Sequence, residues 1–412
     1  MANVIKIKKG LDINLKGKAS DVLLNGGKSD SYAIVPDYYN GIVPKVVAKV
    51  GEKVKAGSVL MIDKNRPEIK FVSPVSGEVT AVNRGEKRKV LSVVVKPEAQ
   101  IEYEDFGKKN VASLKREEVK EAILHAGMWP FIKQRPYDIV ASPADEPRDI
   151  FVSAFYSAPL APNFDFVVKG QEVDFQTGLD ALAKLTDGKV YVGIRKGSSV
   201  SVKGVETVEV EGPHPAANVG VQINHIKPIN KGEVVWTVNP ADVIVIGRLF
   251  NKGIADFSRL VVITGSETTE RGYVKAIAGC TIASLVDGKI MSGNVLTGTK
   301  VEKNDYLGAY DNQITVIPEG DETHDFFGWA TPGFGKFSVS HSFPAWLMGK
   351  NKEYVIDARI KGGKRAMIMS NEYDSVFPMD IMPEYLLKAI IAFDIDKMEN
   401  LGIYEVAPED FA

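Results

Sequence analysis

Two stretches near the start of the chain decide its architecture. The first is Val43-Pro44-Lys45-Val46-Val47-Ala48-Lys49-Val50-Gly51-Glu52-Lys53-Val54-Lys55-Ala56-Gly57-Ser58-Val59-Leu60. The second is Phe71-Val72-Ser73-Pro74-Val75-Ser76-Gly77-Glu78-Val79-Thr80-Ala81-Val82, continued by Val90-Leu91-Ser92-Val93-Val94-Val95. Valine-rich runs suit a pleated surface, and the Gly, Asn, Lys and Pro between them suit turns. No long helical period interrupts these runs, so this part of the chain reads as β. Around it lie 412 residues, 44% hydrophobic and 25% charged, the composition of a soluble globular protein of roughly two to three domains. Lys plus Arg (51) nearly balances Asp plus Glu (53), leaving a net charge of −2 and no global attraction to nucleic acid or an anionic membrane. Cys280 is the only cysteine, which excludes an intrachain disulfide, a zinc knuckle and a cysteine-ligated iron–sulfur cluster. No apolar run approaches the roughly 18 residues of a membrane helix, and Met1–Gly10 lacks a signal-peptide core.

The two half-units, in that order, resemble the barrel-sandwich hybrid of biotinyl and lipoyl carriers. Gly51 and Gly57 serve as turns and Ser73-Pro74-Val75-Ser76-Gly77 opens the second half. In such carriers a lysine on the hairpin between the halves bears the cofactor, which singles out Lys64. Its surroundings, Met61-Ile62-Asp63-Lys64-Asn65-Arg66-Pro67, lack the flanking methionines and the small residue after the lysine. Lys64 is therefore rejected as a modified residue and read as a solvated turn lysine.

From residue 111 the period changes. Ser113 reads as the N-cap of a helix carrying Leu114, Val119, Ala122 and Ile123 on one stripe, ended by Gly127. Strands at 139–142 and 150–155, a helix from about Gly178 to Leu185 and a strand at 189–194 follow, an alternation that implies a mostly parallel α/β layer. Leu260–Thr264 and Tyr273–Ala276 read as a hairpin, Thr281–Val286 as a short helix, and strands near Val295 and Ile314 complete a β-grasp-like order. Helices at Pro383–Phe393 and Asp396–Leu401 close the chain.

Several segments together resemble one family, the A subunits of Na+-translocating NADH:quinone oxidoreductases. They are Ile5-Lys6-Ile7-Lys8-Lys9-Gly10-Leu11-Asp12, Ser73–Gly77, Asn83–Arg88, Gly212-Pro213-His214-Pro215-Ala216, Phe327-Gly328-Trp329-Ala330, Lys336-Phe337-Ser338-Val339 and Pro378-Met379-Asp380. They span nearly the whole chain in the family's order. The resemblance implies a multidomain α/β protein. Its parts would be a barrel-sandwich-hybrid (biotinyl/lipoyl-like) β domain at 1–110 and a Rossmann-like, flavoprotein-like α/β domain without a flavin loop at 111–257. A β-grasp (SLBB-like) domain at 258–325 and a C-terminal loop and helical region at 326–412 would follow, with the family continuing beyond Ala412. It further implies a peripheral subunit on the cytoplasmic face of the bacterial inner membrane, docked on other subunits of the complex, above all a membrane subunit. The complex would couple NADH oxidation and quinone reduction to Na+ export, with FAD, FMN, riboflavin and a 2Fe-2S centre in the partner subunits and none in this chain.

The family is distantly similar to the NADH-binding flavoprotein subunit of complex I and to the C subunit of Rnf complexes, whose glycine-rich loop holds FMN. Ala126-Gly127-Met128-Trp129-Pro130-Phe131-Ile132-Lys133-Gln134-Arg135-Pro136 stands at that place. Bulky side chains replace glycines and Pro130 removes an amide donor, so a phosphate cradle is not expected. Trp129, Phe131, Arg135 and Tyr137 instead offer flat aromatic faces and donors suited to a quinone ring and its carbonyl oxygens. Through the family's association with quinone, Ile34, Val35, Tyr38, Tyr39 and Gly41 join the candidate set. Ordinary core packing, and a purely structural scaffold role, remain the competing accounts.

Other residues carry weaker signals. His125, His214, His225, His324 and His341 show no metal-binding spacing; His214, between two prolines, reads as shaping the turn into a strand at Val219–Val221. Gly193-Ile194-Arg195-Lys196-Gly197 fits neither common phosphate-loop pattern. Cys280 reads as a small core side chain. Arg84, Lys87, Arg88 and Lys89 mark a basic hairpin tip, and Phe326, Phe327, Trp329, Phe334 and Phe337 an aromatic interface candidate.

Overall fold

A computed structural model of the chain describes residues 3–286, 290–320, 327, 332–338, 343–349, 351–359 and 366–412. The valine-rich half-units form two facing sheets. Strands β2 (Tyr32–Ile34), β4 (Lys53–Val54), β7 (Gly77–Arg84) and β8 (Val90–Pro97) make one sheet in the order β2-β8-β7-β4. The other is β3 (Pro44–Val46), β5 (Val59–Asp63) and β6 (Lys70–Val72). Alternation puts Val79 inside and Glu78 and Thr80 outside along β7, and Val54, Leu60, Val75, Val79 and Val93 close the core between the sheets.

The hairpin after β5 is clamped to its surroundings. Buried Asp63 accepts from the amides of Val43 and Asn65 and from Arg66 Nε at 2.8 Å. Arg66 then donates to the carbonyls of Gly41 and Val140. Lys64 stands exposed on this clamped turn.

The opening strand β1 (Asn3–Lys6) does not join the barrel, as the 1–110 boundary implied. It pairs in parallel with β13 (Glu206–Glu211), Ile5 opposite Val210. Ile7 packs beside Val208 and Val210, which gives the segment an apolar face that the barrel could not cover. The sheet it completes runs β1-β13-β12-β11-β14-β9-β10, with β9 (Ile132–Arg135), β10 (Ile139–Val140), β11 (Ile150–Ser153), β12 (Val190–Arg195) and β14 (Val235–Val238). Strands β1, β13, β12, β11 and β14 are parallel, and β9 and β10 finish one edge antiparallel.

Helices cover both faces of this sheet. On one lie α1 (Arg116–His125), α2 (Phe164–Val168), α3 (Glu172–Lys184) and α5 (Pro240–Lys252), sharing the core of Val152 and Val192. On the other, α4 (Val219–Ile226) packs against Phe151 and Tyr191. The C-terminal helices α6 (Glu372–Val376), α7 (Pro383–Ile391) and α8 (Ile395–Asn400) contribute Leu386, Met398 and their surroundings to the neighbouring core of Val208 and Val210.

Local expectations change at five places. Helix α1 begins at Arg116 because Glu118 accepts from the Lys115 amide; Ser113 donates to Asn110 in the preceding 3-10 turn and caps nothing. Helix α3 begins at Glu172, with Gly178 inside it at the contact with α5. Val219–Val221 is helix, not strand, because Pro215 and Asn218 start a turn that continues helically. Thr281–Val286 tightens to a 3-10 turn at Ile282–Ser284, held between Asp305 and Lys303. Val295 sits in a turn, because the Asn294 side chain accepts from the amides of Leu296 and Thr297.

The third module is the sheet β16-β15-β19-β17-β18, from β15 (Ser258–Thr264), β16 (Gly272–Ile277), β17 (Ile290–Ser292), β18 (Thr299–Val301) and β19 (Gln313–Val316). Cys280, Ile282, Leu307, Ile314 and Val316 fill its core.

Candidate functional site

The three modules meet at an aromatic seam. The barrel brings Ile34, Val35, Tyr38, Tyr39 and Phe71; the α/β layer brings Pro130, Phe131 and Phe257; the third sheet brings Ala278, Leu307 and Ala309. Two glycines allow the approach. Gly127 has φ +68, and a Cβ there would lie 2.5 Å from Val72; Gly279 has φ +80, with a Cβ 2.4 Å from the Ala33 carbonyl. Tyr39 meets Phe71 edge-on at 4.7 Å and Tyr310 at 5.6 Å, and Phe131 lies 5.9 Å from Phe257. Tyr38 donates to the Tyr306 carbonyl at 3.1 Å, and burial pushes its phenol up to about 12, so it stays a neutral donor. The free space within the seam is about 40 Å3, so its walls are nearly closed on one another.

Of the sequence candidates, Ile34, Val35, Tyr38, Tyr39 and Phe131 share this seam. The other four lie elsewhere. Trp129 is wholly buried behind it, its indole N–H donating to the Ala141 carbonyl at 2.8 Å and its ring edge-on to Trp236. Arg135 is buried and committed to the C-terminal turn: Nη1 reaches Asp410 at 2.9 Å and Nη2 reaches Glu409 at 2.5 Å. Tyr137 is 65% exposed on the β9–β10 turn. Gly41, φ +81, packs its backbone on Ile139 and accepts from Arg66. Phe71, Phe257 and Tyr310 were not among the candidates, since their only signal was aromaticity within β-patterned segments.

Behind Phe131 lies a buried ion pair. Arg259 Nη2 meets Asp242 Oδ1 at 2.9 Å, and the Arg259 guanidinium sits 5.6 Å over the Phe131 ring. Burial outweighs Arg259 and lifts the Asp242 carboxyl to about 6. A carboxyl that binds its proton more tightly when folded stabilises the fold below its ordinary range and loses that contribution as pH rises through about 6. Chemical denaturation between pH 4.5 and 6.5 is therefore expected to show a downward slope in stability with rising pH that Asp242→Asn flattens (~4.5 and ~6.5 bracket the window).

The segment 126–136 turns several of its backbone groups on its own neighbours. The amides of Gly127, Met128 and Phe131 are bound to the carbonyls of Leu124, Ile123 and Met128, and the Pro130 carbonyl accepts from Tyr310 at 2.6 Å. Turned inward in this way, the backbone offers a phosphate no ring of donors.

The other residues that the sequence singles out take structural places where they are described. Burial pushes the Cys280 thiol up to about 12. His214 Nδ1 lies 2.9 Å from Ser157 Oγ, and burial lowers its pKa. Among the described residues no group of His, Cys, Asp or Glu is placed to hold a metal ion, and no helix is long and apolar enough to cross a membrane. Lys89 at the basic tip pairs with Asp37. Phe327 and Phe334 are exposed and Phe337 packs on Tyr354, whereas Phe326, Trp329, His324 and His341 lie outside the described residues.

Fold and seam together define a class: a barrel-sandwich module, a parallel α/β layer and a small mixed sheet, joined at an aromatic junction. Residues 5–98 match the family description NqrA N-terminal barrel-sandwich hybrid domain, 114–255 match NqrA second alpha/beta domain, and 260–303 match NQRA C-terminal domain. The chain is 36% identical to the A subunit of the Na(+)-translocating NADH-quinone reductase of Neisseria meningitidis, over 99% of this chain and 94% of that protein. The subunits of the same name from Photorhabdus laumondii and Vibrio atlanticus are 34% and 36% identical with the same coverage. The chain belongs to the family of Na+-translocating NADH-quinone reductase A subunits. A chain of the NAD+-reducing [NiFe]-hydrogenase overlaps 49% of this chain and 47% of its own length at a TM-score of 0.35 and 11% identity.

Proposed function

We propose that this chain is the A subunit of a Na+-translocating NADH-quinone reductase, seated peripherally on the cytoplasmic face of the membrane. Near-full-length likeness to subunits of that name carries the reading. Electron transfer and Na+ movement belong to the whole complex. This chain holds no flavin or iron–sulfur centre of its own and does not turn over in isolation.

Its own contribution is to hold a quinone headgroup in the three-module seam, between Tyr38, Tyr39 and Phe131. Apolar walls suit the ring and its isoprenoid tail, and aromatic faces stack on a flat quinone. Trp129 supports the seam from behind, and the nearly closed walls part to admit the ring.

Titration of the full chain with a short-chain water-soluble ubiquinone analogue, followed by tryptophan fluorescence and calorimetry, tests this. Saturable binding is expected, weakened about tenfold in Tyr38→Ala through loss of an aromatic wall, and abolished in Ala278→Phe, which fills the seam from a half-buried position. Absence of saturable binding both to the chain and to this subunit in the assembled complex would overturn it.

A second reading, a scaffold that only assembles the complex, draws support from α7 and α8. Tyr385, Ile391, Phe393 and Ile395 are exposed there, Phe393 at 86%, an apolar surface of the kind protein contacts cover.

A further inference from the structure

The largest reversal of strand order in the α/β layer falls between β11 and β14. The chain leaves β11 for β12 on one side, and β14 lies on the other. Ligands of parallel sheets commonly bind at the carboxyl ends of the strands. A cavity of about 280 Å3 occupies that place. Ser153 and Thr237 form its floor at the strand ends, and Asn218 and Asn239, which precede α4 and α5, stand at its rim.

Three observations state what such a cavity would take. Asp242, in the first turn of α5, lines it and is fully buried; one carboxylate oxygen bonds Arg259, and Oδ2 has no partner. A buried acceptor of this kind calls for an incoming O–H or N–H donor. The nearby cations are already committed: Lys133 to Asp138, Arg135 to Glu409 and Asp410, Arg259 to Asp242. With Asp138, Asp242, Asp311 and Glu409 all lining the cleft, a phosphate would meet carboxylates and no free cation. Finally, Phe131, Phe155 and Tyr310 present aromatic walls that suit a flat ring.

We infer that this cleft binds an uncharged, phosphate-free nucleoside, a planar base whose ribose hydroxyls donate to Asp242 Oδ2. The site is separate from the quinone seam, with Phe131 as a shared wall.

The experiment is calorimetry of the full chain with adenosine and uridine, each paired with its monophosphate. Saturable binding of at least one phosphate-free probe is expected, with its monophosphate at least ~10-fold weaker. Asp242→Asn should weaken the binding by about tenfold, the loss of a charge-assisted hydrogen bond. Thr297→Trp places an indole at the exposed rim and should block the cleft while leaving the melting temperature and the ubiquinone-analogue titration unchanged. The rim variant also decides the matter if Asp242→Asn fails to fold. Binding of neither phosphate-free probe, monophosphates that bind as tightly, or undiminished binding to Thr297→Trp would each overturn the inference.

Discussion

Gly247→Ala is expected to lower the stability of the protein by about 3 kcal/mol, the upper end of what overpacking costs. Helices α3 and α5 cross where each presents a glycine. A Cβ on Gly247 would lie 1.7 Å from the Asp174 carbonyl oxygen, and one on Gly178 would lie 2.1 Å from that of Val243. Both neighbours are backbone, so no side chain can rotate away, and the helices must separate. Separation also opens the core around Phe175, Leu179, Val243 and Ile246. Alanine elsewhere in a helix is favourable by up to about 1 kcal/mol relative to glycine, so the sign of the change reports the contact. A denaturant midpoint unchanged from the parent would refute the close crossing.

Arg135→Ala is expected to cost about 4 kcal/mol, because it leaves the buried Asp410 and the neighbouring Glu409 without their cation. The guanidinium also donates to the Glu405 carbonyl, so the C-terminal turn at Pro408–Phe411 loses its anchor to the sheet. The loss should come from uncompensated charge rather than from shape. Arg135→Met combined with Asp410→Leu is therefore expected to recover most of it, since apolar pairs of similar volume replace buried ion pairs at little cost. Thermal melts of the single and double variants check this. If the single variant melts like the parent yet loses quinone binding, Arg135 acts on the ligand and not on the tail.

Part of the aromatic seam was legible in the residues. Tyr38, Tyr39 and Phe131 lie in segments that the sequence marked out, and they do meet. Trp129 and Arg135 were equally conspicuous, yet their polar atoms are spent on Ala141 and on the C-terminal turn. Residue type shows what a side chain is able to bond; its partner, here 275 positions away, is a property of the fold. The longest miss was α5. Every residue from Pro240 to Phe250 is buried, and the β-branched run Val243-Ile244-Val245-Ile246 reads as readily as a buried strand as a turn of helix.

The sequence by itself determined the kind of modules and their order. Valine alternation with glycine turns specified the barrel, and strand–helix alternation the parallel layer. These are local signals, set by how side chains repeat along a strand or helix. Only the tertiary structure decided that β1 leaves the barrel to edge the α/β sheet, that three modules close on one aromatic seam, and that Asp242 lines a cleft with one carboxylate oxygen buried and unpartnered. Each depends on which distant segment covers an apolar face or neutralises a charge, and that choice is made by packing across the whole molecule.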